Sequence, residues 1–157
     1  MYNSEILLRF ARLLLLREPL DEFLRQVDGI GITGVQIGIP YKFSMYKLNY
    51  DEPFMFFNAT YTTVPGQKVK HTEGCLTYPN REAKLVKRYS VIHAYYDEWN
   101  EVSQSLQRTS RILHGVEAFV FAHEADHQNN HTNAKTWYWS SAPKTRDDRR
   151  KNSHCPT

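Results

Sequence analysis

The sequence predicts an α+β domain, with helices at its beginning, short strands through its middle and one helix bearing a histidine pair near its end. Three observations support this fold class. Apolar residues recur at helical spacing near the N-terminus and over residues 111–128, apolar and polar residues alternate between these stretches, and glycines and prolines punctuate them. No repeat or linker divides the chain, so we expect one domain over residues 1–140 and a polar, basic tail over residues 141–157.

The sequence predicts helices over residues 4–27 and a non-helical, glycine-rich segment directly after them. Residues 4–27 have helical periodicity, and Pro19 should divide them into two helices, the second starting near Asp21. The four glycines from Gly29 to Gly38 argue against a further helix. They also leave a backbone that can approach another molecule closely.

The middle of the chain predicts strands. Residues 41–58 alternate in polarity, with a turn at residues 51–53, and residues 63–79 combine loop and strand. Residues 85–98 form another predicted strand, followed by a tight turn, and residues 103–109 are its expected partner.

The composition fits a globular domain and excludes several classes of protein. Of the 157 residues, 41% are hydrophobic and 13% aromatic, which is enough to build a core. A net charge of +3 is too small to indicate DNA binding, and no apolar run approaches the roughly 20 residues that span a bilayer. The two cysteines, Cys75 and Cys155, lie far apart, which favours a reducing compartment. We expect a cytoplasmic monomer that binds neither membranes nor DNA.

The last predicted helix, residues 111–128, carries the pattern His-Glu-x-x-His. Positions four apart share a helix face, so His123 and His127 can bind the same ion. Glu124 stands beside the first histidine, where a carboxylate can take a proton from metal-bound water without being a ligand. Such a short pattern also arises by chance at polar helix ends. Here it follows an apolar face, where an unpartnered histidine would be costly.

A catalytic metal site needs a third protein ligand, and Cys75 is the strongest candidate. It follows Gly74, which permits close approach of the backbone, and a thiolate with two imidazoles suits zinc or ferrous iron. His131 and His154 lie downstream in polar sequence without a helical frame. A lone cysteine is also often a small buried residue, so the residues alone leave both interpretations of Cys75 open.

Three ordered segments resemble the peptide deformylase family, whose members remove the formyl group from the N-terminal methionine of nascent chains. The segments are GIGITGVQIG at 29–38, EGCLT at 73–77 and HEADH at 123–127. Each segment is weakly to moderately specific by itself, and the ordered trio is strongly specific. The sequence resembles a compact, divergent member, of the kind that a virus with a small genome would encode.

The resemblance implies a hydrolase with one divalent metal ion per chain, Fe²⁺ in the cell and Zn²⁺ or Ni²⁺ in purified protein. Cys75, His123 and His127 would be the ligands. A metal-bound hydroxide would attack the formyl carbon of an N-formylmethionyl peptide, with Glu124 as general base and acid. Formate and a free N-terminus would be the products, in the cytoplasm of a bacterium or of a bacterial host cell.

The resemblance also implies contacts with the reacting peptide. The Gln36 side-chain amide and the Leu76 backbone N–H would donate to the developing oxyanion. The peptide would lie extended as an added strand, with its methionine side chain in an apolar pocket. Core packing is the alternative role for the apolar residues, nearly as strong for Val116. The expected substrate contacts are Gly29, Ile30, Gly31, Gly74, Val116, Phe119 and Val120.

The chain departs from the family pattern at several positions. Thr33 and Gly34 replace two alanines of the usual GLAAPQ segment, so the Thr33 hydroxyl needs a partner, and Gly34 should loosen the loop. Glu73 is expected to reach a basic side chain, and Asp126 to bond a neighbour below the metal. The basic tail suggests a weak electrostatic contact with ribosomal RNA.

Three other functions compete with a deformylase. A metallopeptidase using the same helix would take a downstream third ligand and leave Cys75 dispensable. A non-catalytic relative that binds peptide N-termini would require the loss of a site residue, and the sequence shows no such loss. A structural metal site would need a fourth protein ligand, such as His71 or His131.

Overall fold

The computed structural model describes residues 4–48, 52–66, 68–73 and 84–129, the side chains of residues 84–86 excepted. This part of the chain has the predicted α+β architecture. The helices are α1 (Ser4–Leu14), α2 (Arg17–Gln26) and α3 (Gly115–Asn129). The strands are β1 (Gly31–Thr33), β2 (Phe43–Tyr46), β3 (Phe54–Thr63), β4 (Lys68–Glu73), β5 (Lys84–Tyr89), β6 (Val91–Asn100) and β7 (Ser105–His114).

The strands form two antiparallel sheets. The larger sheet has the order β1-β2-β3-β6-β7, and β4 and β5 pair as a separate hairpin. Within the described residues, β1 is therefore an edge strand, with β2 as its partner along one side. Helix α3 packs on one face of the larger sheet, while α1 and α2 pack on the other. None of the helices in the described ranges is long and apolar enough to cross a membrane.

Two adjacent phenylalanines of β3 show how the sheet is covered on both faces. Successive side chains of a strand point to opposite faces. Phe56 stacks on Phe121 of α3 with ring centroids 4.8 Å apart, and Phe57 meets Phe10 of α1 edge-on at 5.2 Å. Both β3 residues are fully buried, so the sheet is the central layer between the helices.

The break between the first two helices lies at Leu15 and Leu16 and not at Pro19, so that prediction is wrong. Pro19 instead occupies the first turn of α2, where a helix needs no N–H donor from the residue. The amides of Leu15 and Leu16 bond carbonyls three residues back, which tightens the chain before α2 begins.

The prediction that the last helix begins at residue 111 is also wrong. Ile112 has helical spacing relative to α3 but lies in β7, paired with His93 of β6. Gly115 begins α3 with a positive φ of 58°, and its N–H donates to the carbonyl of Ser90 at 2.8 Å. The left-handed conformation at Gly115 turns the chain from the strand into the helix.

The predicted strand over residues 85–98 is two strands, β5 and β6, separated at Ser90. Strand β6 continues to Asn100, so the tight turn falls at residues 101–104 and not at residues 98–101. Strand β7 follows this turn and pairs with β6 along its whole length. The pairing confirms the predicted partner strand, which extends five residues further than expected, from Thr109 to His114.

Candidate active site

Helix α3 carries both histidines of the His-Glu-x-x-His pattern on one buried face. The Nε2 atoms of His123 and His127 lie 3.0 Å apart. Burial, followed by the nearby His123, lowers the pKa of His127 well below its ordinary value, so the ring is neutral. Two nitrogen ligands of a tetrahedral ion at about 2.0–2.1 Å stand roughly 3.3 Å apart, close to the observed separation. The pair therefore fits a metal ion.

Glu73 of β4 orients His123. Its Oε2 lies 3.1 Å from His123 Nδ1. Burial raises the pKa of this carboxyl, but hydrogen bonds from His123 and Arg88 outweigh burial and hold the pKa at about 2. Because an ionised carboxylate only accepts, His123 Nδ1 carries a proton, and in the neutral ring this tautomer leaves Nε2 unprotonated on the side of His127. A metal ligand needs this tautomer.

Arg88 of β5 joins two buried carboxylates beneath the histidines. Its Nε and Nη2 donate to Glu73 at 2.5 and 3.2 Å, and its Nη1 donates to Asp126 at 3.1 Å. The hydroxyl of Tyr61 donates to the other oxygen of Asp126 at 2.9 Å. These contacts confirm that Glu73 reaches a basic side chain and that Asp126 bonds a neighbour. Through these contacts β3, β4 and β5 are held against α3.

The low pKa of Glu73 gives a testable contribution to stability. We expect wild type to be more stable than Glu73→Gln at neutral pH, by about 3 kcal/mol. Because the folded pKa lies below the ordinary 4.5, this advantage is complete above pH 4.5 and is lost as pH falls through about 2. Denaturant unfolding of both metal-free proteins across this range measures the difference. A difference that does not change with pH would contradict it.

Glu124 faces β1 with both carboxylate oxygens. Its Oε2 lies 2.6 Å from Thr33 Oγ1, which confirms that the Thr33 hydroxyl has a partner. A Cβ at Gly31 would stand 2.5 Å from Glu124 Oε1, so glycine makes room for the carboxylate. Glu124 is 4% exposed, and burial raises its pKa against the lowering effects of His123 and Thr33. A carboxyl in this setting is suited to exchanging a proton.

Gly31→Ala is expected to displace the Glu124 carboxylate. The added methyl group would overlap Oε1, so the buried side chain has to leave its position against β1. We expect a hydrolysis that uses Glu124 as its base to fall by about a hundredfold, with the metal content of wild type retained. Enzyme assay and metal analysis of the variant measure the two properties. Gly66→Ala, at an open turn position, is the matched control, and equal activities of the two variants would contradict the assignment.

Gly34 does not loosen the glycine-rich segment, contrary to expectation. It begins a 3₁₀ turn, Gly34–Ile37, and a Cβ there would lie 2.5 Å from the Phe43 ring. Gln36 lies in the same turn, and its Oε1 accepts a hydrogen bond from the Thr33 N–H at 2.8 Å. This bond identifies which end of the Gln36 amide is the oxygen, and the NH₂ group therefore points away from the Thr33 backbone.

The predicted substrate residues differ in environment. Phe119 is buried and stacks on His71 at 4.1 Å, while Ile30 and Val116 are exposed, so Val116 is not a core residue. Val120 packs against the core, and Gly29 bonds the end of α2. Gly74, Cys75, Leu76, His131, His154, Cys155 and residues 141–157 lie outside the described residues, and the statements about them stay predictions.

The described ranges contain no group of three or more His, Cys, Asp or Glu side chains that could hold a metal. His71, considered as a fourth ligand of a structural site, instead places its Nε2 2.5 Å from Glu73 Oε1. Sequence reasoning missed this contact and the roles of Arg88, Tyr61, Ser44 and Gln128. The expected partners of Glu73, Asp126 and the Thr33 hydroxyl were the signals of these residues, without identifying which residues they would be.

Comparisons with known proteins agree with this geometry. The family model described as Polypeptide deformylase matches residues 11–136. A peptide deformylase of Chloroflexus aurantiacus is 25% identical over 123 residues, 69% of this chain and 63% of that protein. The peptide deformylase structure from Thermotoga maritima is 26% identical, with a TM-score of 0.65 over 76% of each chain. The peptide deformylase structure from Thermus thermophilus is also 26% identical, with a TM-score of 0.63 over 73% of this chain and 65% of that one.

This protein therefore spans less than two thirds of the length of the Chloroflexus aurantiacus relative. The family model nevertheless matches most of the residues of this protein. The matched region includes the glycine-rich segment, the Glu73 strand and α3, the elements that form the site described above. Because the family model matches far more than half of its residues, the chain belongs to the polypeptide deformylase family.

Proposed function

We propose that this protein is a metal-dependent peptide deformylase, which hydrolyses the N-formyl group of formylmethionyl peptides to formate and a free N-terminus. The observation that carries the proposal is the buried glutamate Glu124, adjacent in sequence to His123, whose Nε2 lies 3.0 Å from the Nε2 of His127. Family membership supports the same reaction. The finer features of the reaction are proposals derived from these residues.

Cys75, His123 and His127 would hold one divalent ion, Fe²⁺ in the cell and Zn²⁺ or Ni²⁺ after purification. The fit rests on the neutral His127 ring, the tautomer that Glu73 imposes on His123 and the separation of the two Nε2 atoms. A bound ion would supply a water molecule whose pKa is lowered toward neutrality. Thiolate and imidazole ligands suit all three metals, so the ligand set does not select among them.

Glu124 is the proposed general base and acid. In its buried position it takes a proton from the attacking water and delivers it to the nitrogen of the scissile amide, which leaves as the free amine. Gln36, with its oxygen engaged by Thr33, turns its amide N–H donors toward the formyl oxygen as that oxygen becomes negative. The backbone N–H of Leu76 is the second proposed donor.

The peptide would bind beside β1, the edge strand of the five-stranded sheet. An extended chain can add there through main-chain hydrogen bonds, because among the described residues β1 pairs with β2 alone. Gly29 and Gly31 add no side chain of their own to this edge, and Gly74 is a further proposed contact of the peptide. Ile30, which precedes β1, and Val116, at the start of α3, are exposed. With Phe119 and Val120 they are the proposed contacts of the methionine side chain.

We propose that the protein acts as a monomer on nascent chains in the cytoplasm of a bacterium or of a bacterial host cell. The proposed substrate supports this setting, since formylmethionine begins bacterial chains. A weak contact of the basic tail with ribosomal RNA would bring the enzyme to its substrate. Ribosome co-sedimentation across a salt series tests the contact, and binding that does not weaken with salt would contradict it.

The second candidate is a metallopeptidase, favoured by the same helix and its histidines. The two proposals differ at Cys75, which a metallopeptidase would not need. Formate release from a formyl-Met peptide should be measured with protein purified anaerobically in Fe²⁺, beside a chelator-treated sample. Release that requires the metal and is lost in Cys75→Ser supports the deformylase. Cleavage of an internal peptide bond that survives Cys75→Ser supports the peptidase.

A further inference from the structure

We propose that Thr33 is a positioning residue for Glu124, and that it is the last member of a directed chain of buried hydrogen bonds that begins at the backbone of β3. This inference rests on the proposed function to the extent that Glu124 is the general base. Thr33 stands where the resembled family pattern has alanine, so this chain of hydrogen bonds is a feature of this sequence.

Four hydrogen bonds form the chain. The Ala59 N–H donates to Gln128 Oε1 at 2.9 Å, and Gln128 Nε2 donates to Ser44 Oγ at 2.9 Å. Ser44 Oγ lies 2.8 Å from Thr33 Oγ1, which lies 2.6 Å from Glu124 Oε2. The chain thus connects β3, α3, β2 and β1 in turn before it reaches the carboxylate.

The direction of the four bonds follows from the two ends of the chain of hydrogen bonds taken together. A backbone N–H can only donate, so Oε1 of Gln128 accepts and its NH₂ group must donate to Ser44. At the other end, an ionised Glu124 can only accept, so Thr33 donates its single proton to the carboxylate. Ser44 is then the donor in its bond with Thr33. The 3.4 Å contacts of both hydroxyls with the Glu124 carbonyl are longer and weaker.

Burial makes this arrangement rigid. Thr33 and Ser44 are completely buried, Gln128 is 3% exposed and Glu124 is 4% exposed. Water cannot replace a lost partner here, and each donor strengthens the next in a medium of low dielectric constant. With Oε2 held by Thr33 and Oε1 placed over Gly31, the carboxylate has little rotational freedom. A general base requires this, because proton transfer needs an oxygen within hydrogen-bond reach of the proton.

Thr33→Val tests the inference, because it removes the hydroxyl and keeps the shape. We expect kcat for formate release to fall by about tenfold, as for the loss of a hydrogen bond to a charged group, with KM and Zn²⁺ affinity unchanged. Thr33→Ser should recover most of the rate. Thr62→Val makes the same change at an exposed threonine of β3 and should leave kcat unchanged.

The chain of hydrogen bonds also predicts that the effects on kcat of changing Gln128 and Thr33 are coupled. Gln128→Met should lower kcat less than Thr33→Val, and the double variant should be no slower than Thr33→Val, because both changes interrupt one path. Losses that multiply, or a folded Thr33→Val enzyme with the wild-type kcat, would overturn the inference.

The proposed function can fail independently of the inference about Thr33. A wild-type protein that binds Zn²⁺ or Fe²⁺ but releases no formate overturns the deformylase. The chain of hydrogen bonds is then tested by the free energies of unfolding of Thr33→Val, Gln128→Met and the double variant. Non-additive losses support the chain, and additive losses overturn it.

Discussion

Glu124→Gln is expected to abolish formate release while the metal remains bound. Glutamine has nearly the same shape as glutamate and can still accept a hydrogen bond from Thr33, but it cannot take up a proton at the pH of the reaction. Loss of a general base typically lowers kcat by about 10²–10⁴-fold. Because Glu124 is not among the proposed ligands, metal content should stay at one ion per chain.

The measurement compares kcat and metal content in three proteins. Beside wild type and Glu124→Gln, the matched control is Glu117→Gln, two turns earlier on α3, where the carboxylate accepts from Tyr46 and lies remote from the histidine pair. The control should retain the wild-type kcat. Equal rates of formate release by the two variants would remove Glu124 from its proposed role.

Arg88→Met is expected to have the largest effect on stability. Methionine approximates the length of arginine but leaves Glu73 and Asp126 buried without their shared cation. The Arg88 side chain is only 10% exposed, so water does not replace it. Removing one member of a buried ion pair typically costs about 3–5 kcal/mol. We expect a loss of that order in the free energy of unfolding, with weaker metal binding because Glu73 no longer holds His123 in place.

Urea unfolding of metal-free protein measures the first effect, and competition with a chelator measures the second. Arg9→Ala is the control, since Arg9 forms an exposed pair with Glu5 on α1, and such pairs contribute little. Its unfolding midpoint should match wild type. An Arg88→Met protein as stable as wild type would show that the two carboxylates tolerate burial alone, contrary to the network described above.

The order of elements was largely predictable because periodicity records which face of an element is buried. The amphipathic N-terminal helices follow this rule, whereas β2 and the first half of β3 are buried on both faces, which alternating polarity does not predict. Boundaries were less predictable. Ile112 and Gly115 lie where a strand continues directly into α3, and the spacing of apolar residues is continuous across that junction. Only the pairing of β7 with β6 fixes where the helix begins.

Pro19 illustrates the same limit at the N-terminus. A proline inside helical periodicity indicates either a break or the first turn of a new helix, and the two differ by a few residues. Tertiary packing decides between them: the chain turns at Leu15 and Leu16, and Leu13 of α1 and Leu20 of α2 then pack into the same core cluster.

The sequence alone determined that His123, Glu124 and His127 share one helical turn, because local spacing fixes which side chains stand together on a helix. Tertiary structure decided what surrounds them. Arg88 and Glu73 come from a separate hairpin, and Thr33 and Ser44 come from strands distant from α3 in the chain. The distance along the chain gives no sign of such contacts. They arise because the sheet and α3 bury their polar groups together, and a buried polar group must find its partner wherever the fold supplies one.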